Sequence, residues 1–349
     1  MSDYSYLDII LHRLFLGDTP LSQHLYRRLL AKSTSYCHHA EYENHIFITG
    51  LARCGSTILL NQLYAENERG SLIYGNMPFV LSPRLSHFFS RIHPSSSDYI
   101  QRSHQDGIYI SQDAPECLDE PFWIKSDPDY YTKPLSCLAQ PSQAIINAYR
   151  YFLARYSELQ QKKGLIIKNN NNHVRLASLI NSFPNSKFLV LFRDPINHSN
   201  SLTRVHELFT QLHASTPFSL EYMNYIGHRE FGANHSQFQY QALAPSANSF
   251  VKTLDLSYWL ARWNESYSWL YSQDFYKSNN VAYVSYERIC SDPEYLTRIC
   301  FWLGLSMPTT VLLKNKNNSS IKANISASSE ELLCECFDLY EKLQSISFA

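Results

Sequence analysis

The stretch HIFITGLARCGSTILLNQL, His45 to Leu63, decides the fold. Its first five residues are mostly apolar or β-branched, as in a buried strand, and two glycines frame the turn that follows. Gly50 and Gly55 stand at the glycine positions of the phosphate-binding pattern G-x-x-x-x-G-K-[ST], but Ser56 replaces the lysine and Thr57 follows it. The sequence therefore predicts a strand, an anion-binding loop and the start of a helix.

The loop after this strand offers a site for an anion of phosphate or sulfate size. Backbone N–H groups of residues 53–57 and the positive end of the following helix would surround the anion. Arg53 replaces the missing lysine from an earlier position, and its planar guanidinium can bind two oxygens of one anion. We therefore predict an anion site formed by Arg53, Cys54, Gly55, Ser56 and Thr57, against the alternative of a glycine-rich turn that binds nothing.

The composition describes an ordinary globular protein. Of the 349 residues 44% are apolar, and the formal net charge of −1 leaves no general basic surface for nucleic acid, so an anion site must be local. The 25 tyrosines predict stacking surfaces as well as core. The eight cysteines form no C-x-x-C pair and the 14 histidines show no metal-ligand spacing, so we expect reduced thiols and no bound metal.

The N-terminal stretch MSDYSYLDIILHRLFLG predicts an amphipathic helix rather than a leader peptide. Leu7, Ile10, Leu11 and Leu14 fall on one helical face. The stretch has no basic start and no small-residue cleavage site. No apolar run in the chain reaches the roughly 18 residues that a membrane helix needs. We therefore expect a cytoplasmic protein without a membrane span.

Four short runs of β-branched and aromatic residues predict strands that helices cover on both faces. They are HIFIT (45–49), GLIIK (164–168), KFLVLF (187–192) and NVAYVSY (280–286). Helical patterns follow at 56–66, 173–183, 196–211, 257–277, 293–303 and 330–345. This succession predicts right-handed crossovers, and hence an α/β fold in which a parallel β-sheet lies between helices, as in a P-loop-type three-layer sandwich.

Two long polar-aromatic stretches, 76–143 and 212–256, interrupt this pattern. Connections of that length inside a compact domain usually form lids or binding walls. The tyrosines and histidines of the second stretch favour a stacking wall for a ligand, with fold-specific core as the alternative.

A second motif, KFLVLFRDPINHSNSLTR (187–204), continues from the third predicted strand. Arg193 stands at the strand end, Pro195 suits the first turn of a helix, and Ser201 lies eight residues after the arginine. An arginine and a hydroxyl in this arrangement predict a second phosphate site at the same edge of the sheet. A surface pair of arginine and aspartate is the alternative for this motif by itself.

Together the two motifs resemble those of the sulfotransferases that use 3′-phosphoadenosine 5′-phosphosulfate (PAPS). The matching phrases are GLARCGST (50–57), FRDP (192–195) and the serine eight residues after the arginine. In that family the first loop binds the 5′-phosphosulfate, while the arginine and the serine bind the 3′-phosphate. The resemblance implies this second role for Arg193 and Ser201.

A late segment, VSYERICSDPEYLTRICFWLGL (284–305), extends the resemblance. It is similar to a family element whose tyrosine lies near the adenine, which implies that role for Tyr286. The phrases SHQDGIYISQDAPECLDEPFW, KNNNNHVRL and GHREFG resemble a bacterial subgroup of the family. The resemblance implies one sulfotransferase domain, 1–349, with a donor-binding core at about 44–66, 164–210 and 280–305 and acceptor-side insertions at about 76–143 and 212–256.

The activity that the resemblance implies is sulfuryl transfer from PAPS, as co-substrate, to a hydroxyl or amine of a small molecule, saccharide or peptide, without a metal. Positively charged side chains alone can stabilise the transferring group. Arg53 would stabilise the oxygen that leaves with the 5′-phosphate. Lys168, at the end of GLIIK, stands where family members place a strand-end lysine, and a solvated lysine is the alternative.

The general base is at neither of the positions that the family commonly uses. Asn170 replaces a histidine two residues after the strand-end lysine, and Asn76 lies near the place of a glutamate beyond the first loop. An amide does not accept a proton at neutral pH. A base must therefore come from another part of the chain.

The acidic segment DAPECLDEPFW (113–123) supplies the predicted base, Glu116 or Glu120. Together with Asp119, these carboxylates lie close enough in sequence, beside aromatic residues, for repulsion and burial to raise one pKa. Glu116 and Glu120 share a face if the segment is helical. The alternative is an acidic patch at a helix start, and the other candidate bases are Asp119, His104, Asp106 and His173.

Cys54 replaces the serine usual at its position in the loop. A thiol at a helix N-terminus beside Arg53 predicts a lowered pKa and a reactive cysteine. Two other functions remain open. A P-loop small-molecule kinase would need Mg²⁺ and ATP, and a catalytically silent nucleotide-binding protein with the same fold would have lost its base.

Overall fold

A computed structural model of the chain describes residues 5–36, 43–65, 68–92, 100–101, 109–116, 118–127, 129–130, 133–137, 140–240, 254–306 and 327–349. His104 and Asp106, two of the candidate bases, lie outside these described residues.

The described helices and strands are numbered in chain order. The helices are α1 (Tyr6–Leu16), α2 (Pro20–Ser33), α3 (Ser56–Ala65), α4 (Pro83–Ile92), α5 (Glu120–Ser126), α6 (Gln143–Gln160), α7 (Leu176–Ser182), α8 (Pro195–Ser215), α9 (Pro217–Tyr225), α10 (Leu256–Ser272), α11 (Tyr286–Ser291), α12 (Pro293–Leu303) and α13 (Ala327–Ser345). The strands are β1 (Ile46–Thr49), β2 (Ile100–Gln101), β3 (Tyr109–Ile110), β4 (Leu135–Ser136), β5 (Ile166–Lys168), β6 (Lys187–Phe192), β7 (Phe238–Gln239) and β8 (Val281–Ser285). Short 3₁₀ helices occupy Tyr74–Asn76, Asn170–Arg175 and Phe275–Lys277.

The central element is a parallel sheet of four strands in the spatial order β5-β1-β6-β8. In its register Ile46 of β1 pairs with Ile166 on one side and with Lys187 on the other. Each of the four strands of this sheet matches one of the four predicted runs, so the predicted α/β class with a parallel sheet is confirmed. Two further sheets have two strands each, β2 with β3 and β4 with β7.

Helices cover both faces of the four-stranded sheet. Because side chains alternate along a strand, Phe47, Phe188 and Val190 pack on one side with residues of α6 and α10. Ile48 and Leu189 pack on the other side with residues of α3 and α12. Burial on both faces explains why these strands are near-continuous apolar runs.

The first helix forms where the sequence predicts it, but its packed face differs from the predicted one. Leu7, Ile10 and Leu14 are exposed, whereas His12 and Leu16 are buried. The His12 ring packs edge-on against rings of α9, which holds this other face of α1 against the protein. No helix among the described residues has both the length and the apolar character to cross a membrane.

Candidate active site

The predicted anion-binding groups border a crevice at one end of the sheet. From β1 the chain passes to β5 on one side and then to β6 on the other side of β1. In parallel sheets such a reversal opens a crevice beyond the carboxyl ends of the two strands on either side of it, which here are β1 and β6. The loop 50–55 follows β1 and Arg193 follows β6, so the structure brings both motifs to this crevice.

The loop turns tightly between β1 and α3. Gly50 has φ 134°, Arg53 has φ 74° and Gly55 has φ 100°, values that side-chain-bearing residues rarely adopt. A Cβ atom on Gly50 would lie 2.3 Å from the carbonyl oxygen of Leu191 in β6. The first glycine therefore lets the loop cross close to the neighbouring strand.

The second glycine of the loop lies against the ring of Tyr286, at the start of α11. A Cβ atom on Gly55 would lie 2.3 Å from Cδ2 of that ring. The Arg193 guanidinium lies 4.7 Å from the centre of the same ring, which is a cation–π distance. The tyrosine from the late segment thus joins the two motifs that the sequence predicts to bind phosphate.

Arg53 connects the first motif directly to the second. Its Nε donates to the Ser201 hydroxyl oxygen at 3.3 Å. The Arg193 Nη1 donates to the Arg53 carbonyl oxygen at 3.4 Å. His198 supports the same turn, because its Nε2 lies 2.7 Å from the Ala52 carbonyl oxygen. Three of the predicted site residues therefore lie in one hydrogen-bonded group.

The FRDP motif fixes the backbone of Arg193 where β6 becomes α8. The Asp194 carboxylate accepts the Asn197 N–H at 2.8 Å and caps the helix, and Pro195 occupies the first turn. The Trp263 indole N–H donates to the Arg193 carbonyl oxygen at 3.2 Å. These contacts hold the arginine side chain at the mouth of the crevice.

Lys168 lies at the carboxyl end of β5, beside the loop, and is buried. Its Nζ is 2.7 Å from the Glu116 Oε1, and both side chains are nearly inaccessible to solvent. The solvated lysine that the sequence left open as an alternative is therefore wrong. The pair brings one predicted catalytic cation and one predicted base together.

Glu116 and Glu120 do not share a helical face, which corrects that part of the sequence analysis. The helix α5 begins only at Glu120. Glu116 is still extended, because its N–H donates to the Leu72 carbonyl oxygen at 3.2 Å. The two carboxylates therefore point to different partners, Lys168 for Glu116 and Arg175 for Glu120.

The raised pKa that the acidic segment predicts belongs to Asp119. Burial raises the pKa of this carboxyl, Glu120 raises it further, and the result is about 6. Asp119 accepts hydrogen bonds from the Tyr149 hydroxyl at 2.7 Å and from the Asn169 amide at 3.1 Å. Asp119, Tyr149 and Asn169 thus belong to a group of buried, hydrogen-bonded side chains behind the crevice, which we call the buried wall.

Asn170 and His173, which follow β5, also line the buried wall. The Ser56 hydroxyl donates to the Asn170 Oδ1 at 3.1 Å, which links this amide to the loop. His173 is fully buried between the Asn170 carbonyl and the Tyr240 hydroxyl. Burial lowers the pKa of His173 to about 4, so its imidazole is neutral at pH 7.

Cys54 is not the reactive thiol that the sequence predicts. Its side chain is fully buried, and burial raises the pKa of the thiol above its ordinary value. Its backbone N–H donates to the Leu51 carbonyl oxygen at 3.2 Å. The helix start does not lower the pKa because the thiol points into the core beneath the loop, among residues of α3 and α12.

The segment GHREFG (227–232) contributes a site residue that the sequence analysis did not select. Glu230 is 6% exposed, and its Oε1 accepts a hydrogen bond from the Asn170 amide at 3.4 Å. Gly227, with φ 67°, lies against the Glu120 side chain. A Cβ atom on this glycine would be 2.2 Å from the Cγ methylene of Glu120. The only signal in the sequence is the resemblance of this phrase to a bacterial subgroup.

Two cavities adjoin the segment 227–232. A cleft of about 410 Å³ is lined by α8 and by residues that follow this segment, including His206, Thr210 and His235. A smaller and less open cavity of about 30 Å³, called the enclosed cavity below, is lined by Leu51, Glu230 and residues of α10. Among the described residues no group of histidine, cysteine, aspartate or glutamate side chains is arranged to hold a metal ion.

Comparison with known proteins gives the family. The sequence profile described as "Sulfotransferase family" matches residues 45–237, more than half of the chain. The chain therefore belongs to the sulfotransferase family, and the predicted resemblance to that family is confirmed. The matched range ends before Tyr286, whose place beside the loop comes from the structure.

Solved structures give more distant likenesses. Sulfotransferase STF1 from Mycobacterium tuberculosis H37Rv is 14% identical, with 98% of this chain and 85% of that chain covered and a TM-score of 0.47. Sulfotransferase STF9 from Mycobacterium avium is 14% identical, with 97% and 82% covered and a TM-score of 0.44. No curated protein matches the chain significantly.

Proposed function

We propose that this member of the sulfotransferase family transfers a sulfuryl group from PAPS to an acceptor hydroxyl or amine on a small molecule, saccharide or peptide. One observation carries the proposal. Arg53, Arg193 and Ser201 come from two segments that the resemblance assigns to opposite ends of the donor, and they meet at one crevice. The proposal includes a single domain, a cytoplasmic location and an activity that needs no metal.

The crevice suits an adenosine nucleotide with two anionic ends. The Arg53 guanidinium and the start of α3 would hold the 5′-phosphosulfate. Arg193 and Ser201 would hold the 3′-phosphate, and the Tyr286 ring would pack against the adenine. The donor-binding residues that we propose are Arg53, Cys54, Gly55, Ser56, Thr57, Arg193, Ser201 and Tyr286, with Cys54 supporting the loop from beneath.

The catalytic charges that we propose are those of Arg53 and Lys168. PAPS supplies the sulfuryl group, and 3′,5′-adenosine bisphosphate is its leaving group. Two buried or half-buried cations beside the transferring group would stabilise the charge that develops on the leaving oxygen, because screening by water is weak there. Glu116 and Glu120 each accompany a cation, and their role as the base stays a prediction.

The test uses radiolabelled PAPS and extracts that contain hydroxyl and amine compounds, with and without a chelator. We expect labelled sulfate to appear in an acceptor fraction and the chelator to have no effect. Phosphate transfer from labelled ATP and Mg²⁺, with none from PAPS, would show a kinase instead. Binding of 3′,5′-adenosine bisphosphate without transfer would show a silent binding protein, and the absence of binding would contradict the donor site itself.

A further inference from the structure

Glu230 lies two hydrogen bonds from the anion-binding loop. The Ser56 hydroxyl donates to the Asn170 Oδ1 at 3.1 Å, and the Asn170 Nδ2 donates to the Glu230 Oε1 at 3.4 Å. The positive charge of Lys168 also acts on the Glu230 carboxyl. A buried carboxylate thus lies at the end of the crevice where the loop and the strand-end lysine meet.

The second carboxylate oxygen of Glu230 has no hydrogen-bond partner. Its Oε2 is buried, and among the described residues nothing donates a hydrogen bond to it. The His228 Nδ1 lies 3.4 Å away without the geometry of a hydrogen bond. Leaving a buried acceptor unsatisfied costs roughly 1–3 kcal/mol or more. Such a group is expected to have a partner in a ligand.

This part of the site has room for one hydroxyl group. The enclosed cavity of about 30 Å³ is lined by Glu230, by Leu51 and Ala52 of the loop, and by Trp259 and Arg262 of α10. That volume exceeds the roughly 10–15 Å³ that a cavity needs in order to hold one water molecule. The indole N–H of Trp259 and the Nε–H of Arg262 are buried and also lack partners among the described residues.

The body of an acceptor can lie in the adjoining cleft of about 410 Å³. His235 and Gln237 line both the cleft and the enclosed cavity, so the two spaces meet at these residues. Burial lowers the pKa of His206, and it lowers that of His235 to about 4, so both imidazoles are neutral at pH 7. The cleft therefore offers uncharged polar groups, which suit an uncharged hydroxyl compound.

We propose that Glu230 is the catalytic base and that an uncharged hydroxyl compound binds in this cleft with its reacting hydroxyl in the enclosed cavity. The inference rests on the function proposed above. The acceptor oxygen forms a bond to sulfur, and the bond from sulfur to the bridging oxygen of PAPS breaks, with its electron pair remaining on the phosphate. The hydroxyl proton passes to the Glu230 Oε2.

The charge state of Glu230 fits this role. Burial raises the pKa of the carboxyl, but His228 and Lys168 outweigh burial and lower it to about 2, so the carboxylate is ionised at neutral pH. An ionised carboxylate can accept the hydroxyl proton, and a bound donor anion beside Lys168 would oppose the part of the lowering that Lys168 causes. The predicted bases Glu116 and Glu120 form closer ion pairs, with Lys168 and Arg175, than the 3.4 Å contact between Glu230 and His228.

The experiment compares Glu230→Gln with Glu116→Gln, Glu120→Gln and wild type. Transfer from labelled PAPS is measured with water, phenol and methyl glucoside as acceptors, and calorimetry gives the affinity for 3′,5′-adenosine bisphosphate. We expect Glu230→Gln to lower transfer by about a hundredfold or more. Because the substitution removes a negative charge near an anion site, binding of the bisphosphate should be unchanged or tighter.

One further variant acts as a control, and another tests whether the acceptor binds in the cleft. Glu43→Gln alters another buried, ion-paired glutamate, which lies at the amino end of β1 beside Arg150, and should leave transfer unchanged. Thr210→Trp should fill the cleft and lower transfer to methyl glucoside more than transfer to water.

The possible outcomes separate the two proposals. Transfer by Glu230→Gln within about threefold of wild type would overturn the assignment of the base. Loss of bisphosphate binding by Glu230→Gln would also overturn it, because the residue would then support the donor site. If the wild-type protein binds the bisphosphate but transfers sulfate to none of the three acceptors, the assignment of Glu230 as the base is overturned. The proposed donor site is then still supported. No binding at all contradicts the proposed function.

Discussion

The Nε of Arg53 and the hydroxyl oxygen of Ser201 are 3.3 Å apart, although the two residues are separated by 148 positions in the chain. One stands in the loop after β1 and the other in α8, which follows the neighbouring strand β6. The parallel order of these strands brings their carboxyl ends to the same edge, so the contact follows from the sheet topology. This pair is the link between the two halves of the proposed donor site.

Ser201→Ala should weaken binding of 3′,5′-adenosine bisphosphate by about tenfold, because a hydrogen bond to a charged group contributes roughly 1.5–3 kcal/mol. The matched control is Thr203→Ala on the same helix, whose hydroxyl donates to the Ser199 carbonyl oxygen at 3.0 Å. Calorimetry measures both. Equal affinities for the two variants would remove Ser201 from the donor site.

Gly55→Ala should lower bisphosphate affinity by about tenfold or more, because the added Cβ would displace the Tyr286 ring. Gly304→Ala is the control. Its φ of 68° is also positive, but a Cβ there has nothing within 4 Å. Both variants should lose about 1–2 kcal/mol of stability from backbone strain, and Gly55→Ala should lose more because of the displaced ring, whereas only Gly55→Ala should lose affinity. A similar loss of affinity in both would contradict the contact with Tyr286.

Lys168→Ala should destabilise the protein by about 3–5 kcal/mol, because it leaves the Glu116 carboxylate buried without its cation. Lys133→Ala removes an exposed partner of Asp129 and should change stability by less than about 1 kcal/mol. Urea unfolding at pH 7 measures both variants. A difference between them below about 1 kcal/mol would mean that water reaches the Lys168 pair.

The raised pKa of Asp119 predicts a specific dependence of stability on pH. The folded protein holds this proton up to about pH 6, whereas the unfolded chain releases it near 3.8. Asp119 therefore contributes up to about 3 kcal/mol to the free energy of unfolding below pH 3.8. This contribution is lost as the pH rises to about 6.

Asp119→Asn removes this titration. The amide that replaces the carboxyl can either accept a hydrogen bond from the Tyr149 hydroxyl or donate one to it. The stability of the variant relative to wild type should therefore be greater at pH 7 than at pH 5 by about 1–2 kcal/mol. Urea unfolding at the two pH values provides the comparison. A relative stability that does not change with pH would show that Asp119 titrates normally.

The sheet and the loop were predictable because their patterns are local. Each strand is buried on both faces, so its apolar run is visible without knowledge of its neighbours, and Gly50 and Gly55 mark the turn by their spacing. The helices α2, α4, α6, α9 and α11 were not predicted. In α6 the buried face includes Tyr149 and Tyr156, and tyrosine-rich helices resemble polar-aromatic loops when burial is unknown.

The composition of the buried wall was less accessible to sequence analysis. Glu116 and Glu120 separate because Pro115 pairs with Ile73 in a β-bridge, whereas α5 begins only at Glu120. Glu230 enters the site through Asn170, which is 60 positions away, so no local pattern indicates its role. Cys54 points inward because residues of α3 and α12 enclose it, which a motif cannot reveal.

The central claim is that the loop and the FRDP motif bind opposite ends of one nucleotide, and calorimetry with two ligands tests it most directly. Wild type should bind 3′,5′-adenosine bisphosphate at least about tenfold more tightly than 5′-AMP, which lacks the 3′-phosphate. Arg193→Ala should remove this preference by weakening the bisphosphate more than 5′-AMP, whereas Arg53→Ala should weaken both ligands. Equal binding of the two nucleotides by wild type, or a preference that survives Arg193→Ala, would contradict the claim.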